Sequence, residues 1–468
     1  MLFEPLGQRA RSPWPHPRKT SMFLPLDEKY GDIHALGLEP VVSGDNTTGF
    51  VPKAKIRLLD RGLDVVVRFA GSEPVFLSLM TGLLVWAFLG IWFGHSMQWA
   101  VIISNIQAIL SYIFDSFLMR QQLNEYERDI RAAAMLRSRI HSQKRMVREI
   151  VASSRYRLPA ANELSLKMDD VNLPAEKWLG RVSTFLSAIL GHIVTVGLFW
   201  LGVFVWIGFG HSLGWSDQWQ LYINSATSAL MLLIFAFLTN IHERHGAHIE
   251  KCLDTLFEVD SAIEARLRTL TGDITPNPVV TVPAPKVGRL QRAIFYYADV
   301  VGTLVGIAIL ITVLIAWLAV GPLMSFNSNW WLLIGTYAGL VGMNDGFVLD
   351  NVQSRLNSYV DDAFEQVIFD DLYTPEKAEN PGQKVTISQR LSVKINRICS
   401  HPATVVIGFL AIIGLLVGAT AMEWTMTGQL LCNVPPSIIE SFFMMILITS
   451  HNMSDDKRRA DLQAIYLH

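Results

Sequence analysis

The chain has 468 residues, 51% of them hydrophobic and 17% charged, with a formal net charge of −2. Soluble domains carry roughly 25% charged residues, so the deficit points to a membrane protein. The balanced charge, with no sustained basic domain, excludes a nucleic-acid binder, and three cysteines without CxxC spacing (Cys252, Cys399, Cys432) exclude a disulfide framework.

The opening stretch "MLFEPLGQRARSPWPHPRKT" has no continuous apolar run and is not a cleavable secretory signal. It is expected to belong to a disordered tail over 1–55. Beyond it, Lys and Arg are absent from four windows, 69–119, 182–243, 293–354 and 398–456. Each window holds two spans of about 20 apolar residues and a short turn. Eight spans are expected, near 74–93, 99–118, 189–209, 219–239, 300–320, 330–349, 404–422 and 434–450. Helices are the expected form, because hydrocarbon offers the backbone no hydrogen-bond partner.

The fold class read from this pattern is an all-α polytopic membrane protein of four helical hairpins, 56–119, 181–241, 292–350 and 397–451. Helical connections fill 120–180, 242–291 and 351–396, and a tail follows at 452–468. All 39 Lys and Arg fall on the side of the tails and connections, which the positive-inside rule makes cytoplasmic, with both termini inside. The sequons at Asn46 and Asn452 are then expected to stay unglycosylated. Segments also echo one another: "AFLGIWFGHSMQW" with "VWIGFGHSLGWSDQW", "DSFLMRQ" with "DGFVLDN", "RFAGSEPV" with "RICSHPAT". Hairpins that all start and end inside are parallel repeats about an axis along the membrane normal, and a pathway on that axis is expected.

In the connections, Ile249, Leu253, Leu256, Ile263, Leu267 and Leu270 follow a 3/4 spacing interrupted by Asp260, and Leu136, Ile140, Val147 and Ile150 do likewise. These patterns suit a cytoplasmic helical layer, within one chain or across a homo-oligomer. The basic face with Arg137, Arg139, Lys144, Arg145 and Arg148 is either solvated or set against anionic membrane lipid. "TPNPVVTVPAPK" and "PEKAENPGQK" look like irregular linkers.

At "GLDVVVRFAGSEPVF", "SDQWQLYINSATSALMLLIFAFLTNIHER" and "IIESFFMMILITSHNMSDDKRRADLQ" the chain resembles the low-affinity iron permease family, of the fungal type. The resemblance runs from residue 57 to the C-terminus. It implies plasma-membrane uptake of ferrous iron, with copper and zinc as lesser substrates. Fe(II) is then a transported substrate, and no cofactor is expected. The resemblance supplies no ligand residue, so candidates come from the chain itself.

Carboxylates inside spans lead, since an ionisable group at membrane depth is costly and marks a pathway by default. Asp115, Asp345, Asp350 and Glu440 are such groups; the fourth span has Phe235 where Asp115 aligns, but supplies Asn224 and Asn240. Mixed carboxylate and imidazole ligands suit Fe(II), and an interhelical hydrogen bond is the bland alternative. His95 and His211 occupy equivalent outer turns, where imidazole can meet an arriving ion or simply pair with a headgroup. Glu73, His192, Asp299 and His401, at the starts of the odd spans, read as an inner gate or as helix caps. "HERHGAH" puts His242, His245 and His248 on one side of a helix, able to accept metal leaving the pore. Met80, Met231, Met343, Met444 and Met445 are soft contacts or plain packing.

No HExxH, GxSxG or P-loop occurs, so neither an enzyme nor ATP-driven transport is expected. Two other classes remain open to the residues alone: a channel or proton-coupled carrier for another small solute, and a membrane scaffold or sensor working through its cytoplasmic helices.

Overall fold

The computed structural model describes residues 47–49, 58–94, 96–152, 178–283, 285–371 and 387–467. Among these, one three-part unit occurs four times. It begins with a 13-residue helix: α1 (Leu58–Ala70), α4 (Trp178–Leu190), α7 (Arg289–Val301) and α10 (Ile387–Cys399). An outer apolar helix follows: α2 (Glu73–Phe93), α5 (Ile193–Gly210), α8 (Leu304–Val320) and α11 (Pro402–Ala421). A turn then leads into a long inner helix: α3 (Met97–Ala152), α6 (Asp217–Thr271), α9 (Ser328–Asp371), and in the last unit a short α12 (Met426–Leu431) before α13 (Val434–Leu467).

The short helices are amphipathic. In α7 the buried residues Gln291, Ile294, Ala298 and Val301 recur at 3/4 spacing, beside Arg289 and Arg292, the composition of a helix lying at a membrane interface. Each ends in a break at Gly71-Ser72, Gly191-His192, Gly302-Thr303 or Ser400-His401, and at the third break the axis bends by 65°. Extended backbone at Ser72, His192, Thr303 and His401 starts the next helix, and the His192 and His401 rings each accept the amide two residues on, at 3.2 Å. Glycine is required at the first break because a β-carbon on Gly71 would lie 2.8 Å from the Thr239 carbonyl of α6. The expected starts at 189 and 300 therefore move past these breaks, to 193 and 304.

Two kinds of span follow from burial. No residue of α2 is buried, and Leu77, Leu84, Phe88, Ile91 and Trp92 face outward. A helix apolar all round whose surface is left mostly uncovered by its own chain is solvated by lipid. At 17 residues α8 is the shortest outer helix, about 26 Å long and at the lower limit for crossing a hydrocarbon core. Among the described residues seven helices are long and apolar enough to span, and α8 makes an eighth when taken with α7 across their bend; the chain is an integral membrane protein.

The inner helices pack as a ring, α3 against α6 and α9, and α13 against the same two. Around the axis the hairpins run first, second, fourth, third. Each outer helix leans on an inner helix of the next hairpin in that order: α2 on α6, α5 on α13, α11 on α9 and α8 on α3.

Past the membrane the inner helices continue without interruption, α3 reaching 56 residues, about 84 Å. Here Leu136, Ile140, Ile249, Leu253 and Leu256 are buried, as their spacing requires. Asp260 interrupts that spacing because it receives Arg139 at 3.0 Å, while Arg137 pairs with Asp370 at 2.8 Å and Arg145 with Asp273 at 2.7 Å. Much of the basic face is thus spent within the chain. Two expectations change: Val280–Val282, inside the supposed irregular linker, forms a parallel pair with Thr47–Gly49, inside the supposed disordered tail. That three-residue pair is the one departure from an all-α chain among the described residues. The second supposed linker and Asn46 lie outside the described residues.

Candidate functional site: a carboxylate chamber between four inner helices

Three tryptophan pairs give the hairpins a common register. In Trp86–Trp99, Trp206–Trp219 and Trp317–Trp330 the indoles stack, and each N–H donates to the partner's backbone carbonyl. In the fourth hairpin the equivalent positions hold Leu415 and Gly428. Counting along the inner helices from Trp99, Trp219, Trp330 and Gly428 brings equivalent residues to equal depth.

Five residues on stand Ser104, Asn224, Gly335 and Asn433, which line one cleft toward the turn side. Asn224 donates to Ser104 at 3.0 Å, and the Asn433 amide to Thr336 at 3.4 Å. About two to three turns deeper come the acids: Glu440 twelve residues on, Asp115 sixteen, and Asp345 beside the position equivalent to Asp115. All three are 0% exposed. Asp115 interacts electrostatically with both Glu440 and Asp345, and Glu440 with Asp345. The Tyr297 hydroxyl of α7 donates to Asp345 Oδ1 at 2.6 Å. The other five oxygens of the three carboxyl groups have no hydrogen-bond partner. The Glu440 carboxylate lies against Gly342 of α9, where a β-carbon would come within 2.5 Å of it.

Such burial without partners is costly, several kcal/mol for each ion taken from water. Three acids in one chamber cannot all be charged unless a cation joins them. Carboxylate oxygen is a ligand for divalent metals from Mg²⁺ to Fe(II), and a cation here would supply the partner each orphaned oxygen lacks.

Deeper still, nineteen residues past the tryptophan register, stand Leu118, Leu238, Leu349 and Leu447, all within 1% of complete burial and in one core cluster. One turn further lies a polar layer of Gln122, His242, Gln353 and His451, which line a single pocket with Glu125. Gln122 donates to Gln353 at 3.1 Å, and the rings of His242 and His451 lie 3.7 Å apart. His242 Nδ1 is 3.3 Å from Glu125 Oε1. His245 turns to His451 at 3.2 Å and to Asp455 at 3.3 Å.

Other candidates stand apart from the chamber. Asp350 is fully buried with both oxygens unpartnered, but the group it interacts with is Cys399 of α10. Asn240 ties α6 to the first break by donating to the Gly71 carbonyl at 3.0 Å. Glu73 is exposed in the first turn of α2, and Asp299 lies inside α7, ahead of its break. His211 is an exposed turn residue, and His95 lies outside the described residues. Met231, Met343, Met444 and Met445 are core packing. Glu125, His451, Tyr297 and the glutamines were missed, although a Trp-to-Trp spacing of thirteen, three times over, carries the register that finds three of them.

The model of the family described as "Low affinity iron permease" matches residues 179–274 and 388–466. The "Low-affinity iron/zinc ion transport protein fet4" of Schizosaccharomyces pombe is 35% identical over 433 residues, covering 90% of this chain and 74% of its own. The chain belongs to the low-affinity iron permease family. A second relative of this permease, the "Low-affinity Fe(2+) transport protein" of Saccharomyces cerevisiae, is 35% identical over 447 residues, 87% of this chain and 81% of its own. No solved structure matches the permease.

Proposed function

We propose that the permease takes up ferrous iron at low affinity, with zinc and other divalent transition metals as further substrates, along the axis of its four inner helices. The observation that carries this reading is the chamber of Asp115, Asp345 and Glu440, fully buried with five unpartnered oxygens. The relatives' names, an iron/zinc transporter and an Fe(2+) transporter, favour metal over other solutes. The ion meets the cleft around Ser104, Asn224 and Asn433 first, exchanges water for carboxylate at the chamber, and leaves on the side rich in Lys and Arg.

That side is the cytoplasm in this reading, with both termini inside and the protein in the plasma membrane. A dication entering an inside-negative cell gains ~4.6 kcal/mol per 100 mV, from ~2.3 per elementary charge. Uptake then needs no ATP.

The test is uptake of radiolabelled Fe(II), kept reduced, into cells lacking other iron importers, with wild type and an Asp115→Asn, Glu440→Gln double variant at matched surface levels. Saturable uptake that disappears in the double variant is expected. Uptake by the variant equal to wild type would remove the acids from the pathway, and wild-type uptake no greater than that of empty cells would remove iron.

A further inference from the structure

The layer beyond the leucines has a composition of its own. Glu125, His242 and His451 bring one ligand atom each within 4.8 Å of one another, the spacing of ligands around a single ion. They come from α3, α6 and α13, so the ring of inner helices assembles them. His242 is 1% and His451 7% exposed, and His242 Nε2 is a buried nitrogen with no hydrogen-bond partner. Gln122 Oε1, lining the same pocket, also lacks one. His451 Nε2 lies 3.2 Å from His245 Nδ1, the nitrogen that also lies 3.3 Å from Asp455, so this contact holds the His451 ring by Nε2 and leaves Nδ1 as its second nitrogen for a ligand.

We infer that Glu125, His242 and His451 form a second metal site, selective for first-row divalent transition ions, on the Lys- and Arg-rich side of the leucine layer. Two imidazoles and one carboxylate are the donor set of non-haem Fe(II), and imidazole discriminates against Mg²⁺ and Ca²⁺, which the carboxylate chamber alone does not. The Gln122 carbonyl is placed to add a fourth, neutral oxygen.

The two sites are separate. Ten residues of α3 part Asp115 from Glu125, about 15 Å of helix rise, with Leu118 between them. As a stage of transport the inference rests on the proposed function: an ion leaving the chamber crosses a dry leucine layer and is caught by nitrogen ligands. As a binding site it does not depend on that reading.

Co(II) titrated into the purified full-length permease in detergent tests it, because nitrogen ligation of Co(II) at low coordination number gives visible d–d bands that exposed carboxylates do not. The background is the Asp115→Asn, Glu440→Gln variant, in which the chamber is disabled. One Co(II) with intensified visible bands is expected there, with affinity falling more than about tenfold in His451→Gln or Glu125→Gln, each checked for a monodisperse elution profile. An excess of Mg²⁺ should not displace the ion, whereas Zn²⁺ should. No Co(II) bound in the chamber-disabled background, or bands and affinity unmoved by both substitutions in folded protein, would overturn the site. Loss of Fe(II) uptake in wild-type cells would sink the transport reading and leave this titration standing.

Discussion

Trp206 and Trp219 clasp each other through reciprocal hydrogen bonds, each indole N–H donating to the other's carbonyl at 3.2 and 3.1 Å, with the rings stacked 3.9 Å apart. The clasp fixes the height of an outer helix against its own inner helix, and so sets the depth at which inner-helix side chains meet. Trp219→Phe keeps the stack and removes one bond. It should lower stability by about 1 kcal/mol, the scale of side-chain hydrogen bonds between membrane helices. Trp219→Ala should cost about 3–5 kcal/mol. Thermal unfolding in detergent reads both: no loss in Trp219→Phe would show that the hydrogen bond contributes nothing beyond the ring, and two equal losses that the ring contributes nothing beyond the bond.

Gly342 leaves room for the Glu440 carboxylate. In Gly342→Ala the methyl group meets the end of a side chain and not backbone, so the carboxylate moves and the helices stay. Fe(II) uptake should fall several-fold while surface abundance and unfolding temperature remain near wild type. A parallel fall in all three would instead make Gly342 a packing residue.

Leu118, Leu238, Leu349 and Leu447 are expected to hold water out between the chamber and the pocket beneath it. Leu349→Asn should raise Fe(II) flux per copy and admit ions that wild type retards. Simple core packing predicts the opposite pattern, unchanged flux per copy and a loss of stability alone. Counting surface copies alongside uptake separates them.

Asp273 lies in the extramembrane layer, where burial alone would raise its carboxyl. Hydrogen bonds from Thr275 and the Arg145 guanidinium outweigh burial and hold it down to about 2. A depressed carboxyl contributes stability in full above its unfolded value near 3.9, and that contribution drains away as the pH falls toward 2. The protection factors for amide exchange over residues 268–282 should therefore fall below about pH 4. Arg145→Gln should shrink that pH-dependent fall, because the folded value then rises toward the unfolded one. A fall of the same size would mean Arg145 does not hold the carboxyl.

The spans and the chamber were legible for one reason: in a run of apolar residues a charge, or its absence, stands out. Asp115, Asp345 and Glu440 each interrupt such a run. Glu125 and His451 do not, because "NEYERD" and "SHNMSDD" are polar throughout and either residue could be plain solvation. The four leucines are hidden for the converse reason, being leucine among leucine. The breaks at Gly191 and Gly302 were overrun because hydropathy continues through them while the backbone turns. Asn240 looked like Asn224 in sequence, and the bend at Gly71, 169 residues away, is what claims it. Nothing local encodes the order of hairpins around the axis.

That order bears on how the ring is completed. The second and third hairpins both flank the first, which leaves an opening opposite it, and the fourth, made last, fills that opening. The final hairpin is a keystone. Until it arrives, three sides of a trough face lipid without Glu440 and without His451, so a chain interrupted before residue 400 has neither a closed lumen nor a complete set of ligands at either depth.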